Sequence, residues 1–216
     1  MESLRVSLWF IFSICLNALG NSLMITANLG STPWTSAGQN LVTILPLSVG
    51  TYIILFNVFS FGVSYLLKVR LNWQTMIKSM LLALVFGFFV DAFVFILNLL
   101  FVPENIWIRL LYLLFGLNFI AIALSIYFQL KSVYLPLDYL LQAFAKLKKN
   151  YTVGTIICMS IPISISMIIF LVQHHLTGLG IGTILFVFGV GFLIDRYIKM
   201  LVINKPSKPS NIGNNI

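Results

Sequence analysis

Six runs of roughly twenty consecutive apolar residues, separated by short polar connections, constrain this chain more than any motif in it. They fall at about 7–28, 49–68, 76–100, 106–130, 152–173 and 180–201. A helix needs ~20 such residues to cross ~30 Å of hydrocarbon. A membrane β-strand alternates polar and apolar residues over segments of ~10, and these runs do not alternate. With 60% hydrophobic and only 8% charged residues, the chain lacks the polar shell of a water-soluble domain. The expected fold is all-α, a polytopic membrane protein with six transmembrane helices in the lipid bilayer. The first run is longer than a signal-peptide core and ends without an A-x-A site, so it reads as a retained span. Residues 204–216, NKPSKPSNIGNNI, read as a disordered cytoplasmic tail.

Net charge is +8, yet the basic residues are scattered between apolar runs instead of gathered in one patch, which argues against nucleic acid. Threaded through six spans, Arg5, Lys68, Arg70, Lys78, Lys131, Lys146, Lys148, Lys149, Arg196, Lys199, Lys205 and Lys208 fall on one side, and Arg109 alone on the other. Lys and Arg accumulate on the cytoplasmic side. Both termini are therefore expected in the cytoplasm, with the chain in the cell (inner or plasma) membrane.

The chain also carries an internal echo. Val49, Gly50 and Thr51 recur 104 positions later as Val153, Gly154 and Thr155, and Gly87, Phe88 and Asp91 recur in the same register as Gly191, Phe192 and Asp195. Pro33 pairs with Pro136 at a shift of 103. The reading is two membrane repeats, 1–101 and 102–203. Each holds three spans, an odd number, so the second enters the membrane inverted; such repeats are common in secondary transporters, whose sites lie near the midplane beside interrupted helices.

Each repeat contains a break. Gly30 stops one helix, Thr32 can cap the next, and Pro33 suits its first turn because the missing N–H is not needed there. The second helix can run only to about Leu45, since Pro46 interrupts it, which is too short to span. Trp34, Ala37, Leu41 and Ile44 fall on one face; Ser36, Gln39, Asn40 and Thr43 fall on the other. The partner begins at Pro136, with Asp138 in its first turn and Lys146, Lys148 and Lys149 in its last, signs that complement the helix dipole. Both segments read either as surface helices that anchor loops or as half-helices aiming free N–H groups at a cavity. Asn17, Asn21, Ser22, Thr26 and Asn28 line the first span toward its break.

Asp91 lies deep in the third span, where a carboxylate costs on the order of 2.5–3.5 kcal/mol. It either holds a segment by accepting hydrogen bonds or binds a cation or proton. Asp195, beside Arg196, reads as an interfacial ion pair. The candidate solute- or ion-binding residues are Asn17, Asn21, Asn28, Thr32, Trp34, Asp91, Asp138 and Asp195. The glycine-rich GLGIGT at 178–183 has no strand before it and reads as a tight loop and helix contact. His174 and His175 have no further ligands nearby, and Cys15 and Cys158 read as buried thiols, so neither metal nor cofactor is expected. No catalytic motif is present, and an enzyme is not expected.

ANLGSTPW at 27–34, LSVGTY at 47–52 and GFFVD at 87–91 resemble the YczE/YitT-type integral membrane proteins of bacteria over about residues 10–200. In that family an A-x-x-L-G-x-x-P-W-D type segment follows the first helix. The resemblance implies a bacterial inner-membrane protein of unassigned or transport-related activity. Here Thr35 stands where that pattern has its acid, while the second half keeps Pro136-x-Asp138. The leading reading is a transporter or channel for a small solute or ion. The alternatives are a substrate-binding subunit served by a separate energising partner, and a scaffold or regulator whose lysine-bearing helix docks a partner or anionic lipid; a homo-oligomer is compatible with each.

Overall fold

The computed structural model describes residues 2–67, 69, 72–130, 133–175, 177–201 and 203, and every regular element among them is an α-helix. The expected tail at 204–216 and the basic residues Lys68, Arg70, Lys131, Lys205 and Lys208 lie outside the described residues. Six helices have the length and composition to cross a membrane: α1 (Glu2–Ala27), α3 (Val49–Leu66), α4 (Trp73–Leu100), α5 (Ile106–Leu130), α7 (Tyr151–Gln173) and α8 (Ile181–Met200). Two are short, α2 (Pro33–Val42) and α6 (Pro136–Lys148), and each starts on its proline. The chain is a multi-pass membrane protein, and its spans expose large apolar side chains such as Phe88, Leu99, Phe188 and Phe192 where lipid would cover them.

Helix α2 stops at Val42, short of the Leu45 expected from Pro46. Thr43 turns both its N–H and its hydroxyl to the Asn40 carbonyl (3.2 and 2.6 Å), which closes the last turn early. The two-faced pattern expected of α2 is also absent as a solvent boundary. Ser36 and Asn40 are as buried as Trp34 and Ala37, because α2 packs against α3 and α7 as well as α1 and α8.

The axis of the molecule is the crossing of α1 with α5. Phe10 stacks on Tyr127 near one end, and Arg109 reaches the Ala27 carbonyl at the other, so the two helices run antiparallel. They touch at Gly20 and Gly116, where a Cβ on either would lie 2.7 Å from the other's carbonyl oxygen. In lipid, where no hydrophobic force drives helices together, such small-residue contacts let backbones approach.

Around this axis the contacts largely exchange when the halves are exchanged. α1 packs on α4 as α5 packs on α8; α2 packs on α3 as α6 packs on α7; and α2 meets α7 as α6 meets α3. The exception is α3 with α4, which pack closely while α7 and α8 make no comparable contact.

Gly116→Ala should lower stability by about 1–3 kcal/mol through overpacking. Gly189→Ala, where an added Cβ meets nothing within 4 Å, should be neutral or better by helix propensity. Thermal unfolding of the purified variants checks the contrast.

Candidate functional site

Two breaks build the site, and each solves the problem of unpaired backbone in an apolar setting differently. After Ala27 the chain turns through Asn28 (φ 50°) and Gly30 (φ 110°), the latter in a left-handed conformation suited to glycine. Arg109, the basic residue that falls apart from the others, donates to the Ala27 and Asn28 carbonyls (2.7 and 2.5 Å) and so caps the C-terminus of α1. The α7–α8 connection clasps the turn: Gly182 N–H donates to Leu29 O (2.9 Å), Ser31 N–H donates to Gly178 O (2.8 Å), and Thr177 N–H donates to Asn40 Oδ1 (2.9 Å). That is the role of the GLGIGT stretch.

Held this way, α2 begins level with Asn21, inside the helical bundle. Thr35 and Thr32 hydroxyls donate to Asn21 Oδ1 (2.9 and 3.2 Å), and Asn21 Nδ2 donates to Asn17 Oδ1 (2.9 Å). Thr32 occupies the N-cap position but its side chain caps nothing, because its hydroxyl is taken by Thr35 Oγ1 (2.8 Å) and Asn21 Oδ1. The N–H groups of Trp34 and Thr35 are left without an acceptor among the described residues.

Helix α6 meets the same depth from the other half. Tyr127 OH donates to Asp138 Oδ2 (2.9 Å) and accepts the Leu135 N–H (2.7 Å), which also reaches Asp138 Oδ2 (3.2 Å); Leu137 N–H donates to Asn57 Oδ1 at 3.3 Å. The first turn of α6 is thus saturated by protein, whereas that of α2 is open. The Asp138 carboxyl accepts from Tyr127 and Leu135 through one of its oxygens. No Lys, Arg or His pairs with it among the described residues.

Both starts open on one cavity of about 130 Å³. Its wall takes Asn17 and Asn21 from α1, Thr32, Pro33, Trp34 and Thr35 from the α2 start, and Leu135, Leu137 and Asp138 from the α6 start. Ile53, Phe86, Ile120, Leu124, Leu141, Cys158, Met159 and Phe186 complete it. Asn17 and Ile120 sit near the middles of α1 and α5, so the cavity lies mid-span. Among the described residues no three His, Cys, Asp or Glu side chains converge as metal ligands would.

Of the expected binding residues, the cavity gathers Asn17, Asn21, Thr32, Trp34 and Asp138, and it leaves out Asn28, Asp91 and Asp195. Asn28 is exposed in the turn. Asp91 closes the start of α3, accepting the Gly50 N–H (2.7 Å) and the Ser48 hydroxyl (2.5 Å), while Gly87 lets the α3 and α4 backbones meet. This is the hydrogen-bonding role among the two readings of that carboxylate. Among the described residues the repeated Gly191 and Asp195 have no such partner: a Cβ added at Gly191 would meet nothing within 4 Å, and Asp195 is exposed and not bonded to Arg196. Gly154 instead packs on the Ala145 backbone of α6. Tyr127 was not singled out from sequence and carries no signal there: at the shift of 103 that pairs Pro33 with Pro136 it matches Met24, and only the tertiary arrangement of α5 and α6 brings it to Asp138.

In thermal melts, Asp91→Ala should cost about 1–3 kcal/mol by orphaning Gly50 N–H, against near neutrality for Asp195→Ala.

With this geometry established, comparison with known proteins places the chain. A model of DUF6198, a family of unknown function, matches residues 4–199, and the chain belongs to that family. It is 23% identical to an uncharacterised protein of Haemophilus influenzae over 191 residues, covering 88% of this chain and 82% of that protein. No solved structure matches.

Proposed function

We propose, from membership of a family without an assigned activity and from the cavity between its two half-helices, that the protein is a transporter. It carries a small solute through a midplane site, works without a catalytic step, and lies in the bacterial cell membrane with both termini in the cytoplasm. The observation that carries this reading is that α2 and α6, one from each half, begin at the same mid-span cavity. Half-helix starts meeting at the interface between inverted repeats are where secondary transporters hold their cargo.

Three further features support it. The antiparallel α1 and α5 and the exchange of contacts between halves fit two repeats of opposite orientation. The closed α3–α4 contact beside the open α7–α8 pair fits a molecule with one side shut and the other apart, and in an alternating cycle the two pairs trade states. The one-sided distribution of basic residues supports cytoplasmic ends, and the resemblance to YczE/YitT-type proteins belongs to the same reading.

Reconstituted vesicles should accumulate at least one solute from a panel of small metabolites and ions, and Asp138→Asn should abolish that uptake. A solute that raises the melting temperature yet never enters vesicles points to a binding subunit that needs an energising partner. Topology is tested by impermeant labelling of Leu45→Cys and Lys148→Cys in a Cys15→Ser, Cys158→Ala background, both positions being exposed. The two should label from opposite sides; labelling from one side would falsify the inverted arrangement.

A further inference from the structure

The two half-helix starts on the cavity are chemically opposite. At α2 the N-cap side chain is turned away, the Trp34 and Thr35 N–H groups have no acceptor among the described residues, and the helix dipole adds partial positive charge. An independent donor stands beside them. Asn17 is only 8% exposed and lines the cavity; its Oδ1 is used by Asn21, while its Nδ2 donates to nothing among the described residues. A buried amide of this kind is costly unless something accepts from it.

At α6 the polarity is reversed. The first-turn donors are consumed, and both bonds to Asp138 fall on Oδ2, so Oδ1 has no donor among the described residues while Asp138 lines the cavity. A buried carboxylate with no cationic side chain facing it is complete only with a proton or a cation. The rest of the lining is mostly apolar and aromatic, with Phe86, Trp34 and Phe186 among it.

We propose that the cavity binds a small zwitterion, its carboxylate on the open start of α2 and Asn17, its ammonium on Asp138. The proposal rests on the cavity being a solute site, and it adds which solute. A neutral zwitterion satisfies both poles at once, whereas a simple anion leaves Asp138 unpaired and a simple cation leaves the α2 donors unpaired. Size narrows the class further. An apolar cavity of about 150 Å³ holds benzene, so about 130 Å³ suits a solute of about six heavy atoms, the size of L-alanine.

The test is calorimetric titration of the purified full chain in detergent, near neutral pH, with L-alanine, glycine, propionate and ethylammonium. L-alanine or glycine should bind saturably, and propionate and ethylammonium, each carrying one pole, should bind about tenfold or more weakly. Asp138→Asn, which keeps an oxygen for Tyr127 and Leu135, should weaken the zwitterion about tenfold and leave propionate unchanged. Asn17→Ala should weaken the zwitterion and propionate together and leave ethylammonium unchanged. If a variant does not fold, the comparison of zwitterion with half-probes on wild-type protein still decides. Propionate or ethylammonium binding as tightly as L-alanine overturns the two-pole assignment, as does no binding of either zwitterion. Saturable L-alanine binding without uptake sinks the transporter reading and leaves the zwitterion site standing. Uptake of a different class of solute, with both zwitterions inert, does the reverse.

Discussion

A broken helix inside a bilayer has no water to satisfy its exposed backbone, so each break must find its partners within the protein. The contacts at both breaks answer that need. At the first break, Gly182, Gly178, Thr177 and Arg109 come from the other half of the chain to meet Leu29, Ser31, Asn40 and Ala27. At the second, Tyr127 and Asp138 do the work locally, with Asn57 of the first half completing the turn. Each half therefore supplies donors or acceptors to the other's gap. The α1–α5 axis, closed by Gly20 and Gly116, holds the halves in the register that lets this happen.

Satisfaction is deliberately uneven along the cavity wall. Helix α6 has no spare donor at its start, while α2 keeps two N–H groups and the Asn17 amide unused. The same unevenness recurs at the periphery. Asp91, Gly50 and Gly87 lock α4 onto α3, and the matching Gly191 and Asp195 are left apart from α7. Carboxylates in this chain consequently differ in kind: Asp91 is a structural acceptor, Asp195 a surface charge, and Asp138 alone faces the cavity.

The number and length of the spans were legible in the order of residues alone, because a run of ~20 apolar residues is long enough for a helix to cross lipid. The two breaks were legible there too, since Gly30, Pro33 and Pro136 act through local backbone geometry that needs no distant partner. Asn17, Asn21, Thr32, Trp34 and Asp138 were legible as candidates because polar groups in apolar runs are costly and must be used. What composition could not rank was Asp91 against Asp138. Both are carboxylates in apolar surroundings, and only the packing of α4 on α3 spends one of them on Gly50, while α6 turns the other to the cavity. Tyr127, the clasp by residues 177–182 and the capping role of Arg109 were likewise decided by tertiary structure. Their partners lie far away in sequence or on a neighbouring helix, and the distance between two hydrogen-bonding groups is set by how helices pack, which no local pattern encodes.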